Sequence, residues 1–422
     1  MTAMSESSSK LAPSMRFKPI FLAMSLGAAA GMASAGPVRS VGSMTFADAN
    51  TLMLADWMGG EIHALQLRPA TTTAAGPFNL KNISSPVSHA LHTQPDALRF
   101  EDMAFRPDTD LAYITLSVQR GKVVVPALVS IDSKGKVAVI NLAKTPQTSV
   151  EIKQRPAADQ RFWNDIPAAT YTVTDMVFND GKLYVAGLSN ASFASTLRIY
   201  EFPFNGASTT TSIEMYHAVH NQVETRAPIR KMTIATLGGE PSLIAAYTCT
   251  PLVTIALKDL KDGAHVVGKT IAELGWGSTP VDMVSFDAGD GPVVLLTNSH
   301  KSADLMTMAS IAAASQQAGL STPIKWPNEP YLGLKATPVP ISGIAKLGNQ
   351  NKEFLGALRR DEASGRMELV SIRKGAFLRL SDFINEYDFA DFTYSPTDPF
   401  RGVHHLLRGD EGYPALAAKA AP

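Results

Sequence analysis

One short line of sequence recurs along this chain, and repetition of that kind constrains the fold more than any single motif. A small or acidic residue is followed by Met or Ile, with an aromatic or aliphatic residue two positions on. A turn and a strongly apolar, β-type run come next. The line reads Ser43-Met44-Thr45-Phe46 before Leu52-Met53-Leu54-Ala55, Asp102-Met103-Ala104-Phe105 before Leu111-Ala112-Tyr113-Ile114, and Asp175-Met176-Val177-Phe178 before Leu183-Tyr184-Val185-Ala186. It continues as Lys231-Met232-Thr233-Ile234 before Leu243-Ile244-Ala245-Ala246-Tyr247, and as Asp282-Met283-Val284-Ser285-Phe286 before Val293-Val294-Leu295-Leu296. A weaker copy is Gly343-Ile344-Ala345 before Phe354-Leu355-Gly356-Ala357-Leu358, so six copies start at 43, 102, 175, 231, 282 and 343.

A third strand-like run follows each pair, at 61–67, 128–131, 197–202, 252–257, 305–308 and 367–372, and a more polar fourth follows in places, as at 137–142 and 212–216. Four short antiparallel strands joined by Gly, Asn, Asp and Pro turns make a propeller blade. No interval alternates strands with long helices, which disfavours a parallel α/β sheet. The helix-friendly patch at 309–319 reads as an insertion in the fifth unit. The expected fold is therefore all-β, a β-propeller of six four-stranded blades. Seven is the alternative, because Ala390-Asp391-Phe392-Thr393-Tyr394-Ser395-Pro396 resembles the start of another unit. Too little chain follows it for four strands, so it would need N-terminal help or would only cover a sheet edge. In this repeat rhythm, over about residues 40–400, the chain resembles exported bacterial β-propellers of the general YVTN/NHL kind. That resemblance implies architecture and no particular activity.

With 422 residues, 45% hydrophobic and 18% charged, the chain can bury a sizeable core. Formal net charge is zero and no Lys/Arg cluster is present, so nucleic acid is not an expected partner. Lys10, Arg16 and Lys18 precede an apolar stretch at 20–32 and the small-residue sequence Ala33-Ser34-Ala35, the layout of a signal peptide over 1–35. A single propeller domain over 36–408 and a tail over 409–422 would follow. No run is long enough to span a bilayer, so the mature chain reads as periplasmic or secreted without a transmembrane segment. The lone Cys249 excludes an intramolecular disulfide.

Four of the nine histidines sit in two matching hexapeptides, His89-Ala90-Leu91-His92-Thr93-Gln94 and His217-Ala218-Val219-His220-Asn221-Gln222. In an antiparallel blade the loop before the first strand and the end of the second strand share one face of the disc. That face would gather His89, His92, His217 and His220, with Glu224 and Arg226 close behind the second pair. Asp56 with Trp57, Ser189, Asn190, Cys249, Asn298 with His300, and Arg359 with Arg360 would join them from the second strands. Imidazoles three apart share one side of a helical turn and diverge on a strand. Two such pairs, with His300 or Cys249 as a further ligand, suit copper or iron, with zinc behind them, and not magnesium or calcium. Glu224 could orient an imidazole, and Glu224 or Arg226 could assist proton transfer or anion binding. The plainer reading is a duplicated loop whose histidines bond backbone carbonyls. The recurring Asp102, Asp175 and Asp282 are read as structural, each bonding amides of the neighbouring blade. Cys249 in an apolar strand is ordinarily a small buried hydrophobe.

No Gly-rich phosphate loop, Cys-x-x-Cys-His haem attachment or Gly-x-Ser-x-Gly elbow is present. The expected function is that of an exported metal-binding propeller with a histidine-lined site at the channel mouth, acting as a metal-dependent oxidoreductase on a small molecule. The alternative is a non-catalytic propeller that docks a periplasmic protein or ligand on the same face. A lactonase-like hydrolase with calcium held by Asp and Asn is a third reading. All of the metal chemistry requires ring closure to bring His92 and His220 over one opening.

Overall fold

The computed structural model describes residues 36–375 apart from 71–75, 163, 326–330 and 362. The signal segment 1–35, the closing segment 390–396, His404-His405 and the tail 409–422 lie outside the described residues.

Local chemistry sets the hairpins. Strands Asp175–Asn179 and Lys182–Leu188 are joined by Asp180-Gly181, both at positive φ (47° and 71°). Lys231–Leu237 and Glu240–Ala246 are joined by Gly238-Gly239, at 59° and 89°. Two-residue turns with both residues at positive φ match the right-handed twist of the strands they connect. The second strand of each unit is almost wholly buried, as in Thr51–Asp56, which explains its unbroken apolar character.

The described strands form four separate four-stranded sheets and one ten-stranded sheet in a propeller-like arrangement, with a small two-stranded sheet of Arg161–Phe162 and Ile166–Pro167 beside them, in place of the six or seven separate blades expected. The ten-stranded sheet contains two four-strand meanders, Asp175–Asn179 to Thr209–His217 and Lys231–Leu237 to His265–Leu274. Their outer strands Thr209–His217 and His265–Leu274 pair in parallel, Ser212 opposite His265 through Met215 opposite Gly268. Pairing of these outer edges fuses two units that the repeat alone presents as separate. The last sheet, starting at Ile344–Asn349, takes its outer strand from Asn79–Leu80, which pairs with Met367–Arg373. Closure thus comes from early in the chain. Of the helices, Met308–Ser315 falls in the expected insertion, with Thr307 Oγ1 accepting from the Ser310 amide at 3.1 Å, and Ser84–Ala90 was not anticipated. Among the described residues no helix is long and apolar enough to cross a membrane.

Six first strands surround a central channel, and their order around it is not the order of the chain. Met44–Asp48 neighbours Asp175–Asn179, then come Lys231–Leu237, Pro280–Asp287, Ile344–Asn349 and Leu98–Phe105, which returns to Met44–Asp48. The second repeat therefore sits between the last and the first. Equivalent ring positions follow from the strand register: Asp102 faces Thr115, Asp175 faces Ala186, Lys231 faces Ala246 and Asp282 faces Thr297. The sixth copy enters this ring at Lys346, opposite Leu358, and not at Gly343.

Each recurring aspartate accepts a backbone amide from the next strand round the ring. Asp102 Oδ2 takes Met44 N at 2.8 Å, Asp175 Oδ2 takes Met232 N at 2.8 Å, and Asp282 Oδ2 takes Leu347 N at 2.9 Å. The structural reading of these residues is what the geometry shows. Lys231 Nζ lies 3.1 Å from Asp175 and 3.6 Å from Asp282, and Lys346 Nζ lies 3.5 Å from Asp102.

Candidate metal centre

One copy of the histidine hexapeptide builds a cluster. His217 ends the outer strand Thr209–His217, a tight turn carries His220, and the short strand Gln222–Glu224 pairs back, His217 opposite Gln222 and Met215 opposite Glu224. Asn221 at the turn has φ of 51°, a left-handed conformation that Asn tolerates better than most residues. The hairpin stacks the two imidazoles with ring centroids 4.1 Å apart. Glu224 Oε1 meets His217 Nδ1 at 2.9 Å and His220 Nδ1 at 2.5 Å.

Cys249 completes the group from the turn between Glu240–Ala246 and Pro251–Ala256. One ligand atom from each of His217, His220 and Cys249 lies within 4.8 Å of the others. Cys249 and Thr250 both have φ of 64°, and the turn is held by Cys249 N donating to Ser278 O at 2.8 Å and by Thr250 Oγ1 donating to Gly275 O. Consecutive non-glycine residues in this region store strain of a kind that concentrates at functional sites. His217 is buried, Cys249 half-buried and His220 exposed, which leaves a route from solvent.

Burial opposes ionisation of Glu224, but the hydrogen bonds from His217 and His220 prevail and bring its carboxyl down to about 2. A second glutamate, Glu273 on His265–Leu274, is fully buried; Oε1 accepts Ala218 N at 2.7 Å and Oε2 lies 3.9 Å from His217 Nε2. Burial pushes its carboxyl up to about 8, with Glu224 adding to the shift and the Ala218 and Val219 amides opposing it. Neither His217 Nε2 nor Glu273 Oε2 has a hydrogen-bond partner. Sequence reading missed Glu273; its signal was an acidic residue within the buried run Ile271-Ala272-Glu273-Leu274.

The other expected residues lie elsewhere. His89 belongs to the helix Ser84–Ala90 and His92, at φ of 52°, follows it; both are exposed and neither joins the cluster. The strands that follow the two hexapeptides, Leu98–Phe105 and Lys231–Leu237, are three places apart in a ring of six, so the copies occupy opposite sides of the channel. His300 bonds Ser299 Oγ through Nδ1 at 2.6 Å, and its amide donates to Ser278 Oγ at 3.2 Å, one residue removed from the cluster's support. Arg226 is exposed and donates to Ser192 O at 3.2 Å. Asp56 is spent on the amides of Arg39, Ser40 and Gly59. Arg359 is paired with Glu368 at 2.6 Å. The central cavity and the funnel above it are lined by no histidine. The cluster therefore sits on the expected face but at the outer-strand edge, not at the channel mouth.

No protein-family model matches the chain, and no curated protein matches it. Solved structures similar to it include Kuenenia stuttgartiensis hydrazine synthase, at 10% identity and a TM-score of 0.34, covering 82% of this chain and 99% of that one. BBS1N, solved in complex with ARL6DN, is similar at 11% identity and a TM-score of 0.27, covering 82% and 97%. Chaetomium thermophilum Raptor is similar at 12% identity and a TM-score of 0.30, covering 79% of this chain and 28% of that one. The propeller description stands on the chain's own strand pairing.

Proposed function

We propose that this protein binds a transition metal at the outer-strand edge of its propeller, with His217, His220 and Cys249 as ligands. The observation that carries the reading is the shared carboxylate: Glu224 Oε1 takes both Nδ1 atoms, which leaves each Nε2 as the free nitrogen, and the buried one lacks any partner. Fixing the ring tautomer through the far nitrogen is how second partners orient metal-bound imidazoles. Two imidazoles and one thiolate are a donor set for copper, with zinc the competitor. Three donors with an exposed side leave a position for a small molecule, and copper there would support electron transfer or oxidation. The basic, apolar and small-residue succession of the first 35 residues supports export to the periplasm or beyond, where a copper site would be loaded.

Metal analysis of protein purified without a histidine tag tests this. We expect about one copper per chain at saturation, with a thiolate-to-copper absorption band lost in Cys249→Ser, as a copper–thiolate bond requires. Zinc in place of copper would retain the site and remove the redox function. A chain that binds neither, or binds equally after His217→Ala with His220→Ala, would overturn the proposal.

A further inference from the structure

The parallel pairing of Thr209–His217 with His265–Leu274 brings together three polar side chains that the metal reading does not use. Ser212 stands opposite His265, and Glu214 opposite Val267. Residues two apart on a strand share a face, so Ser212 and Glu214 point to one side, and His265 joins them from the neighbouring strand. His265 Nδ1 lies 2.8 Å from Ser212 Oγ, and its Nε2 lies 2.9 Å from Glu214 Oε2. A carboxylate only accepts, so the proton of the neutral imidazole sits on Nε2 and is donated to Glu214. The lone pair of Nδ1 is then aimed at Ser212 and accepts its hydroxyl proton. Ala264 O, at 3.5 Å, is the weaker acceptor for the same hydroxyl.

Hydroxyl, imidazole and carboxylate in this order make an activated nucleophile, with a base in reach of the hydroxyl and a third group orienting the base. The constellation is recognised by geometry and roles, and not by position in the sequence. Two further observations bear on it. The Phe193 ring lies on the His265 ring, with centroids 4.6 Å apart and a tilt of 32°. With both nitrogens bonded and one face covered, the imidazole is held in a single orientation. The surroundings are also apolar and open to solvent. Val267, opposite Glu214, is 69% exposed, Phe193 is 46% exposed, and Val223, opposite Tyr216 on the same face, is 53% exposed. Ser212 itself is half-buried. The hydroxyl is therefore within reach of a small molecule whose apolar part lies against these side chains.

We infer that Ser212, His265 and Glu214 form a second site, which hydrolyses small carboxylic esters with a short aliphatic acyl chain and an aryl leaving group. Ser212 Oγ attacks the carbonyl carbon as His265 Nδ1 takes the hydroxyl proton, and the carbonyl π pair moves onto its oxygen. Collapse of the adduct re-forms the carbonyl and breaks the bond to the leaving oxygen, which takes the proton from Nδ1. Water then attacks the Ser212 ester, giving a proton to Nδ1. The acid departs, and Ser212 Oγ recovers its proton from the imidazole. Glu214 is a positioning residue that holds the ring and balances the charge it gains. An exposed sheet face contacts the substrate on one side only, so the ester that reacts is one whose leaving group departs readily. The site needs no metal and does not depend on the histidine–cysteine cluster.

The test uses the full chain, with para-nitrophenyl butyrate as substrate and a fluorophosphonate as covalent probe, each with and without a chelator. Saturable hydrolysis that the chelator leaves unchanged is expected, with the probe attached to Ser212 by peptide mass spectrometry. Ser212→Ala and His265→Ala should each lower kcat by about 100-fold or more, the usual contribution of a positioned base and its nucleophile. Glu214→Gln should lower kcat by about tenfold or more at unchanged KM, since it alters the ring and not the apolar contacts. Circular dichroism checks that each variant is folded, and labelling of the unaltered chain does not depend on any variant. The inference is overturned if the probe labels no residue or a different one, if hydrolysis persists in Ser212→Ala, if the chelator abolishes it, or if Glu214→Gln leaves kcat unchanged.

Discussion

His217 and His220 stack at 4.1 Å between ring centroids and share one carboxylate oxygen. Glu224 thus fixes the orientation of both rings at once. Replacing it by Ala should weaken copper or zinc binding by about 10- to 100-fold, the usual cost of losing a group that orients metal-bound imidazoles. Competition against a chelator measures this, and circular dichroism should show an intact fold because the glutamate is on a short edge strand. Unchanged affinity would mean that the carboxylate only caps the hairpin.

The repeat made the strands and the all-β architecture legible, and with them the face on which the cluster lies. It also made each Asp-Met pair recognisable as a blade-to-blade tie. Ring order was not legible, because the strand Gln147–Glu151 returns to the first sheet and Asn79–Leu80 joins the last. Both are pairings of outer strands whose polar sequences carry no repeat signal. Nor could the two histidine hexapeptides be told apart. One follows Ser84-Ser85-Pro86, with Pro86 in the first turn of a helix, where proline is tolerated. The other continues the alternating burial of Thr209–His217 and turns as a hairpin. Flanking sequence, not the motif, decided which pair of imidazoles faces the same way. Cys249 was legible as a candidate, but its left-handed backbone was not.

The separation of the two copies has a direct consequence. His89→Ala with His92→Ala should leave metal stoichiometry and affinity unchanged, whereas His220→Ala should lower both. Elemental analysis of the three proteins after dialysis decides it. Loss of metal in the first variant would place the ligands on the wrong side of the ring.

Closure of the disc rests on a few residues. Phe78 is buried at 2% exposure and packs edge-on against Phe105 at 5.7 Å; its amide donates to Ser371 Oγ and its carbonyl accepts from the Ser371 amide. Phe78→Ala removes that anchor and should cost about 3–5 kcal/mol, the range for truncating a buried phenylalanine. Urea unfolding would register it as a lower midpoint. Because the segment joins the last sheet to the first part of the chain, limited proteolysis should also cut the variant near residue 78 well before the wild type.

The ring predicts a pH dependence with a definite sign. Burial raises the Asp175 carboxyl from 3.8 to about 6, and a carboxyl so raised contributes stability that is present below 3.8 and is lost as pH rises through 6. Lys231 is the ammonium group that lies against both Asp175 and Asp282, at 3.1 Å and 3.6 Å. Lys231→Met leaves them without it, and breaking a buried pair in this way costs about 3–5 kcal/mol. The loss should be expressed at pH 8, where the Asp175 carboxyl is ionised, and should shrink toward pH 4, where Asp175 can take a proton in the folded chain. Unfolding free energies of wild type and variant at the two pH values give the difference directly. Since the other titrating groups are common to both proteins, a difference that stays constant with pH would show that Lys231 contributes packing rather than charge.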